Sequence, residues 1–261
     1  MQTKNVQGRL WSAAPADWAR YVEPTFIPLY KQVLQAIAPD DTTMLLDAGC
    51  GSGLFLGMAK ARGAHVHGID AAPGLLAIGR KRLPGTTLLQ EDLEDLPFRD
   101  ETFDVVTGFN SFHYAGSFEF ALAEARRVTK RGGRVVIATW GPESQCDATA
   151  VFRAVTNLLP PPLPGTQGPF AVNDEVKLKA IATRTGLRIT HQQSVPCPWL
   201  FSSMQSLQRA FLSSGPFVKA VISKGEQKVQ QVIYDSAQPF HVGDQVYYLE
   251  NEMVFFVAER T

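Results

Sequence analysis

Between Thr43 and Trp140 the chain alternates short apolar runs with stretches of helical spacing. Met44-Leu45-Leu46 reads as a short buried strand ending in Asp47, His65–Ile69 as a second ending in Asp70, and Thr86–Gln90 as a third followed by Glu91-Asp92. Phe103–Phe109 and Gly133–Thr139 read as the fourth and fifth. Helices fit between them, over Leu54 to Arg62 and over Pro73 to Arg82, where a proline suits the first turn. Ser117 can cap the next helix, whose face is Phe118, Ala121, Leu122, Ala125 and Val128, with Gly132-Gly133 as its end. Strands alternating with helices predict an α/β fold, a mostly parallel sheet with helices on both faces.

The flanks carry a different pattern. Residues 1–42 are helical in spacing and hold Trp11, Trp18, Tyr21, Phe26 and Tyr30 ahead of the first strand. Residues 141–173 contain the proline run Leu158–Gly165, read as a rigid connection rather than as a ligand for proline-binding domains. Asn173 or Asp174 is expected to cap a helix that reaches Thr185 and closes at Gly186. Leu187–Val195 reads as a sixth strand, residues 198–247 as a second helical insertion, and Met253–Ala258 as the last strand. No internal repeat is visible. The expectation is one domain over 1–261, with a core at 43–140 and cap insertions at 141–173 and 198–247.

Composition narrows the choice of partner. Hydrophobic residues are 45% of the chain and charged residues 19%, enough for a sizeable core and too apolar for global disorder. Lys+Arg and Asp+Glu are 25 each, so the basic surplus that phosphate contacts require is missing and no nucleic-acid partner is expected. Cys50, Cys146 and Cys197 lie far apart and read as reduced thiols without metal-ligand spacing. The first residues lack the apolar run of a signal peptide, and no stretch approaches the ~20 apolar residues of a membrane span. A cytoplasmic protein without membrane attachment is the expectation.

The candidate chemistry starts at Leu45-Leu-Asp-Ala-Gly-Cys-Gly-Ser-Gly53, a strand running into three glycines and then a helix. Glycines let the backbone turn sharply and let a ligand lie against it, and amides at the helix start can face an anionic group. Asp70 ends the second strand, where a carboxylate can accept both hydroxyls of a ribose or cap the next helix. Asp92, after the third strand, can accept from an adenine amino group, and Asn110 follows the fourth. Ligands of open parallel sheets bind beyond the carboxyl ends of the strands, so Asp47, Asp70, Asp92 and Asn110 are expected to converge on one crevice. A nicotinamide-dependent oxidoreductase is the rival reading, but it predicts G-x-G-x-x-G, whereas Gly53 follows Gly51 by two and position 54 is Leu.

Together these segments resemble the class I S-adenosylmethionine-dependent methyltransferases, in the branch of ubiquinone/menaquinone-biosynthesis and small-molecule enzymes. The resemblance rests on Leu46–Gly53, Ile69-Asp70, Glu91-Asp92-Leu93, Leu96-Pro-Phe98 with Phe103–Val106, and Glu124–Gly133. It implies a Rossmann-like seven-stranded sheet whose last strand is antiparallel, between the fifth and sixth. It also implies that Gly49, Gly51 and Gly53 hold the methionine part of S-adenosylmethionine, Asp70 the ribose, Asp92 and Leu93 the adenine, and that Asn110 sits beside the sulfonium. The aromatic N-terminal segment, Trp18 or Tyr21 in particular, resembles the lid placed over the cofactor. The implied reaction is methyl transfer to a small-molecule acceptor by in-line displacement, leaving S-adenosyl-L-homocysteine, with no metal; a non-catalytic S-adenosylmethionine-binding module is the alternative. His113 is the candidate general base or a pocket wall. Phe152, Phe170, Trp199, Phe201, Phe211, Phe217 and Phe240 are candidates for an apolar acceptor lining or for the cap's own core, and monomer and homodimer stay open.

Overall fold

The computed structural model describes residues 3–160 and 175–261. The chain enters through α1 (Thr3–Trp11), α2 (Pro15–Asp17), a π-helical turn at Trp18–Val22, a 3₁₀ turn at Glu23–Phe26 and α3 (Ile27–Ile37). Then come β1 (Met44–Ala48), α4 (Leu54–Lys60), β2 (His65–Asp70), α5 (Pro73–Arg82), β3 (Thr87–Gln90), β4 (Phe103–Phe109), α6 (Phe118–Val128) and β5 (Thr129–Trp140). The second half holds α7 (Ala148–Thr156), α8 (Glu175–Arg184), β6 (Leu187–Pro196), β7 (Trp199–Phe201), α9 (Met204–Leu212), α10 (Gly215–Lys224), α11 (Glu226–Ala237), β8 (His241–Gly243), β9 (Val246–Leu249) and β10 (Glu252–Arg260).

Seven strands form one sheet in the order β3-β2-β1-β4-β5-β10-β6. Pairings from β3 to β5 are parallel, and β10 runs antiparallel to both β5 and β6. This is the Rossmann-like α/β architecture expected from the sequence. Successive residues of a strand point to opposite faces, so Leu45 and Leu46, both fully buried, feed two cores. Leu45, Val105 and Phe255 pack with α3 and α4, while Leu46, Val106 and Phe256 pack with α6 and α8.

Several boundaries differ from the sequence reading. The first strand runs on to Ala48 and the second includes Asp70, so both acids lie within strand ends. The helix capped by Ser117, which accepts from the Phe120 amide, stops at Val128 rather than at Gly132-Gly133. Thr129 Oγ1 takes the Ala125 carbonyl and begins the fifth strand, and the glycines sit where the β4–β5 register shifts. Gly133 is needed there because a Cβ would lie 2.9 Å from the Asp104 carbonyl oxygen.

Residues 1–42 divide in two. In α3, Leu29, Val33 and Ile37 are buried in the sheet's core, so this helix belongs to the body of the fold. Only the segment before it lies over the strand ends. The insertion at 198–247 is not purely helical, since β7, β9 and β8 form a three-stranded antiparallel sheet beside α9 to α11. The proline run leaves the described residues after Leu158-Leu-Pro160, and Phe170 and the expected caps Asn173 and Asp174 lie outside them.

Candidate functional site

A cleft enclosing about 730 Å³ of empty space, part of it open to solvent, lies at the carboxyl ends of β1, β2 and β4. Gly49, Gly51, Asp70, Asp92, Leu93 and Asn110 all line it, as does Trp18 from the N-terminal segment.

The floor is a loop held by its own hydrogen bonds. The amides of Gly49 and Cys50 both donate to the Ile69 carbonyl at 2.8 Å, which folds the end of β1 against β2. Gly49 has φ 88°, and a Cβ there would lie 2.3 Å from the Ser111 Cβ, so no other residue fits. The Gly51 amide donates to Asp70 Oδ2 at 2.8 Å, and the Ala72 amide to Oδ1 at 2.7 Å. Asp70 therefore shapes the loop and serves the start of α5 at once. The Ala71 amide also acts on this carboxylate, which keeps lone pairs for a further donor. Burial raises its pKa above the ordinary aspartate value, against the pull of these amides.

At one end of the cleft Asp92 Oδ1 accepts from the Glu94 amide at 3.1 Å, and Glu91 pairs with Lys4 of α1 at 2.8 Å. At the other, Asn110 sits in the left-handed region with φ 50°, its amide on the Ala138 carbonyl. Asn110 Oδ1 is buried and has no hydrogen-bond partner among the described residues. Ser111 Oγ donates to the Ala48 carbonyl at 2.5 Å and fixes the turn after β4 against the glycine loop.

Three sequence candidates are not on the cleft wall. Asp47 lies behind the loop, accepting from Thr107 Oγ1 at 2.7 Å, and burial pushes its pKa up to about 7. Gly53 faces Leu83 and Gly79, so it serves the packing of α4 on α5. His113 is buried behind Tyr114, with ring centroids 4.3 Å apart, and burial lowers its pKa to about 3. Tyr114, not His113, reaches the cleft, and burial raises its phenol well above the usual range. Among the described residues, the insertion aromatics pack on each other and on Trp140 of β5: Phe152 contacts Phe211 and Phe217 at 5.9 and 5.0 Å, and Trp199 contacts Phe201 at 6.0 Å and Trp140 at 5.5 Å. They extend the core on that face of the sheet.

The cover comes from α1 and the turn after it. Thr3, Lys4, Gln7 and Trp11 face the cleft, and Gly8 lets α1 press on the Ala71 carbonyl. Trp11 stands edge-on to Trp18 at 4.9 Å and to Tyr114 at 5.3 Å. Sequence reasoning passed over Glu23. This buried acid accepts from Ser52 Oγ at 2.5 Å, from the Leu54 amide at 3.2 Å and from Arg82 at 2.7 Å. The amide at the start of α4, expected to face a ligand, is thus taken by the protein's own carboxylate. An acid between Val22 and Phe26, two positions that face the core, was the available hint.

Residues 46–137 match the family described as Methyltransferase domain. A malonyl-[acyl-carrier protein] O-methyltransferase from Erwinia pyrifoliae is 32% identical over 130 residues, covering 50% of each chain. A demethylmenaquinone methyltransferase from Streptomyces avermitilis is 37% identical over 118 residues, 43% of this chain and 51% of the relative. The chain thus spans about half the length of the curated relatives it matches. A crystal structure of an S-adenosylmethionine-dependent methyltransferase from Aquifex aeolicus superposes with TM-score 0.53 at 19% identity, over 69% of this chain and 92% of the other. Residues 46–137, which carry the glycine loop and the strand-end acids, are thus similar to methyltransferase domains, on a sheet with the Rossmann-like strand order.

Proposed function

We propose that the protein transfers the methyl group of S-adenosylmethionine to a small-molecule acceptor by in-line displacement, releasing S-adenosylhomocysteine. The observation that carries this reading is the convergence of Asp70, the Gly49–Gly51 backbone and the unpartnered Asn110 Oδ1 on one cleft at the strand ends. The residues present fit the cofactor. Asp70 retains acceptor capacity for ribose hydroxyls, Asp92 and Leu93 line the same cleft and would meet the adenine, and Asn110 Oδ1 is a buried acceptor without a partner among the described residues.

When bound, S-adenosylmethionine supplies an activated methyl carbon, which the acceptor's electron pair takes as the carbon–sulfur bond returns its pair to sulfur. The work left to the chain is alignment and exclusion of water. The Gly49–Gly51 backbone and Asp70 fix one end, and Trp11, Trp18 and Tyr114 wall the side that α1 covers. The segment before α3 acts as a lid over the cleft. Tyr114 stays protonated at neutral pH and serves as a wall or a donor, not as a base. The two named relatives act on unlike acceptors, so the similarity supports the cofactor rather than the acceptor. The balanced charge supports a small molecule over a nucleic acid.

Calorimetric titration with S-adenosylmethionine, S-adenosylhomocysteine and NADPH tests the reading. Binding of both sulfur nucleotides and not of NADPH is expected. Silence of the folded protein toward both overturns it, and binding without turnover on any screened acceptor favours a non-catalytic module.

A further inference from the structure

Glu23 does not line the cleft, yet it grips the loop that does. Its side chain comes from the N-terminal segment, is 3% exposed, and meets Ser52, which is fully buried. Oε2 accepts from Ser52 Oγ and Arg82, Oε1 accepts from the Leu54 amide, and Arg82 also donates to the Ser52 carbonyl at 2.8 Å. A Cβ on Gly51 would lie 3.9 Å from Glu23 Oε1 and 3.7 Å from Trp18 Nε1, so both residues stand beside the cleft-lining glycine. The loop is also held by the Ile69 carbonyl and Asp70 from the sheet and by Arg82 of α5. Glu23 is the anchor that arrives from the N-terminal segment.

We propose that Glu23 is a positioning residue for cofactor binding: it sets the Gly51–Leu54 backbone, so that affinity for the cofactor depends on the N-terminal segment being seated. The inference rests on the methyl-transfer reading of the cleft. Its physical basis is preorganisation, since a loop not held in its binding shape must be ordered when the ligand arrives. A carboxylate can hold a hydroxyl, an amide and a guanidinium together; the isosteric amide cannot do so without turning a donor toward one of them.

The test is titration of S-adenosylhomocysteine into wild type, Glu23→Gln, Ser52→Ala and the double variant, reading Kd and stoichiometry separately. Glu23→Gln is expected to raise Kd about tenfold and Ser52→Ala about threefold, in line with one or two lost hydrogen bonds. The double variant is expected to be no weaker than Glu23→Gln, because the two changes remove a shared contact. An acid that mattered only for folding would lower the stoichiometry through a smaller folded fraction and leave Kd unchanged, which overturns the proposal. If Glu23→Gln does not fold, Ser52→Ala decides alone, and a wild-type Kd there overturns the inference. A wild type that binds no S-adenosylhomocysteine removes the methyl-transfer reading and this inference with it. Wild-type binding with unchanged variants removes this inference only.

Discussion

Asp70 Oδ2 accepts the amide hydrogen of Gly51 at 2.8 Å, joining the end of β2 to the glycine loop across 19 positions of sequence. One carboxylate thus builds the floor of the cleft and faces into it. Asp70→Ala should weaken S-adenosylhomocysteine binding by roughly 1–3 kcal/mol, the cost of leaving hydrogen-bonding groups unpaired. The Gly51 amide should also exchange faster in the free protein, as read by hydrogen exchange. Unchanged affinity in calorimetry would take Asp70 out of the site.

Gly49 and Gly51 should answer differently to the same substitution. At Gly49 a methyl meets the Ser111 Cβ at 2.3 Å with φ 88°, whereas at Gly51 the nearest atom is 3.7 Å away. Gly49→Ala is expected to lose roughly 2–4 kcal/mol of stability, and Gly51→Ala about 1 kcal/mol from its left-handed backbone. Urea unfolding of the two variants settles the order.

Asp47 makes stability depend on pH in a stated direction. Burial raises its folded-state pKa to about 7 from an ordinary 3.8. Below 3.8 both states hold the proton, and above 7 both have lost it. In between the folded state binds more protons than the unfolded one, so this group's contribution falls as pH rises through the window. The full effect is on the order of 4 kcal/mol. Asp47→Asn should therefore gain on wild type as pH climbs from 4.5 to 7.5 in urea titrations, and a constant difference would contradict the assignment.

For His113 the sign is opposite. A folded-state pKa of about 3 keeps the ring neutral, and its stability contribution is present above the unfolded value of 6.5 and lost as pH falls. His113→Leu also removes a buried Nε2 that has no partner among the described residues. The variant is expected to match or exceed wild-type stability at pH 7, with a larger advantage at pH 4.5. Its pH–rate profile should follow that of wild type, and a lost limb would reinstate the histidine as a base.

What the sequence disclosed was governed by local rules. Gly49 and Gly51, an acid at a strand end and alternating apolar runs fixed the cleft's floor, because backbone turns and burial are properties of neighbouring residues. His113 was drawn to the site by its place after β4, but a one-residue rotation of a 3₁₀ turn presents Tyr114 instead. Glu23 was hidden because its partners lie 29 and 59 positions away. The small sheet had a local sign that went unread: Gly243 and Asp244, both at positive φ, stand at the end of β8 and in the Asp244-Gln245 turn that leads back into β9. The break of α6 at Val128 followed from β-branched Val128-Thr129, which outweighed the glycine pair beyond them.

The placing of β10 between β5 and β6 bears on how the molecule is made. Within the described residues β6 pairs with β10 alone, so a chain emerging in order reaches Pro196 with that strand unclaimed. Its amides and carbonyls wait through the synthesis of the whole insertion before Glu252–Arg260 arrives to slot in. The half carrying β1 to β5 can settle early around its own strands, whereas the far side of the sheet closes in a single late event. A nascent chain arrested before residue 252 should hold a folded cleft floor and an open, association-prone flank.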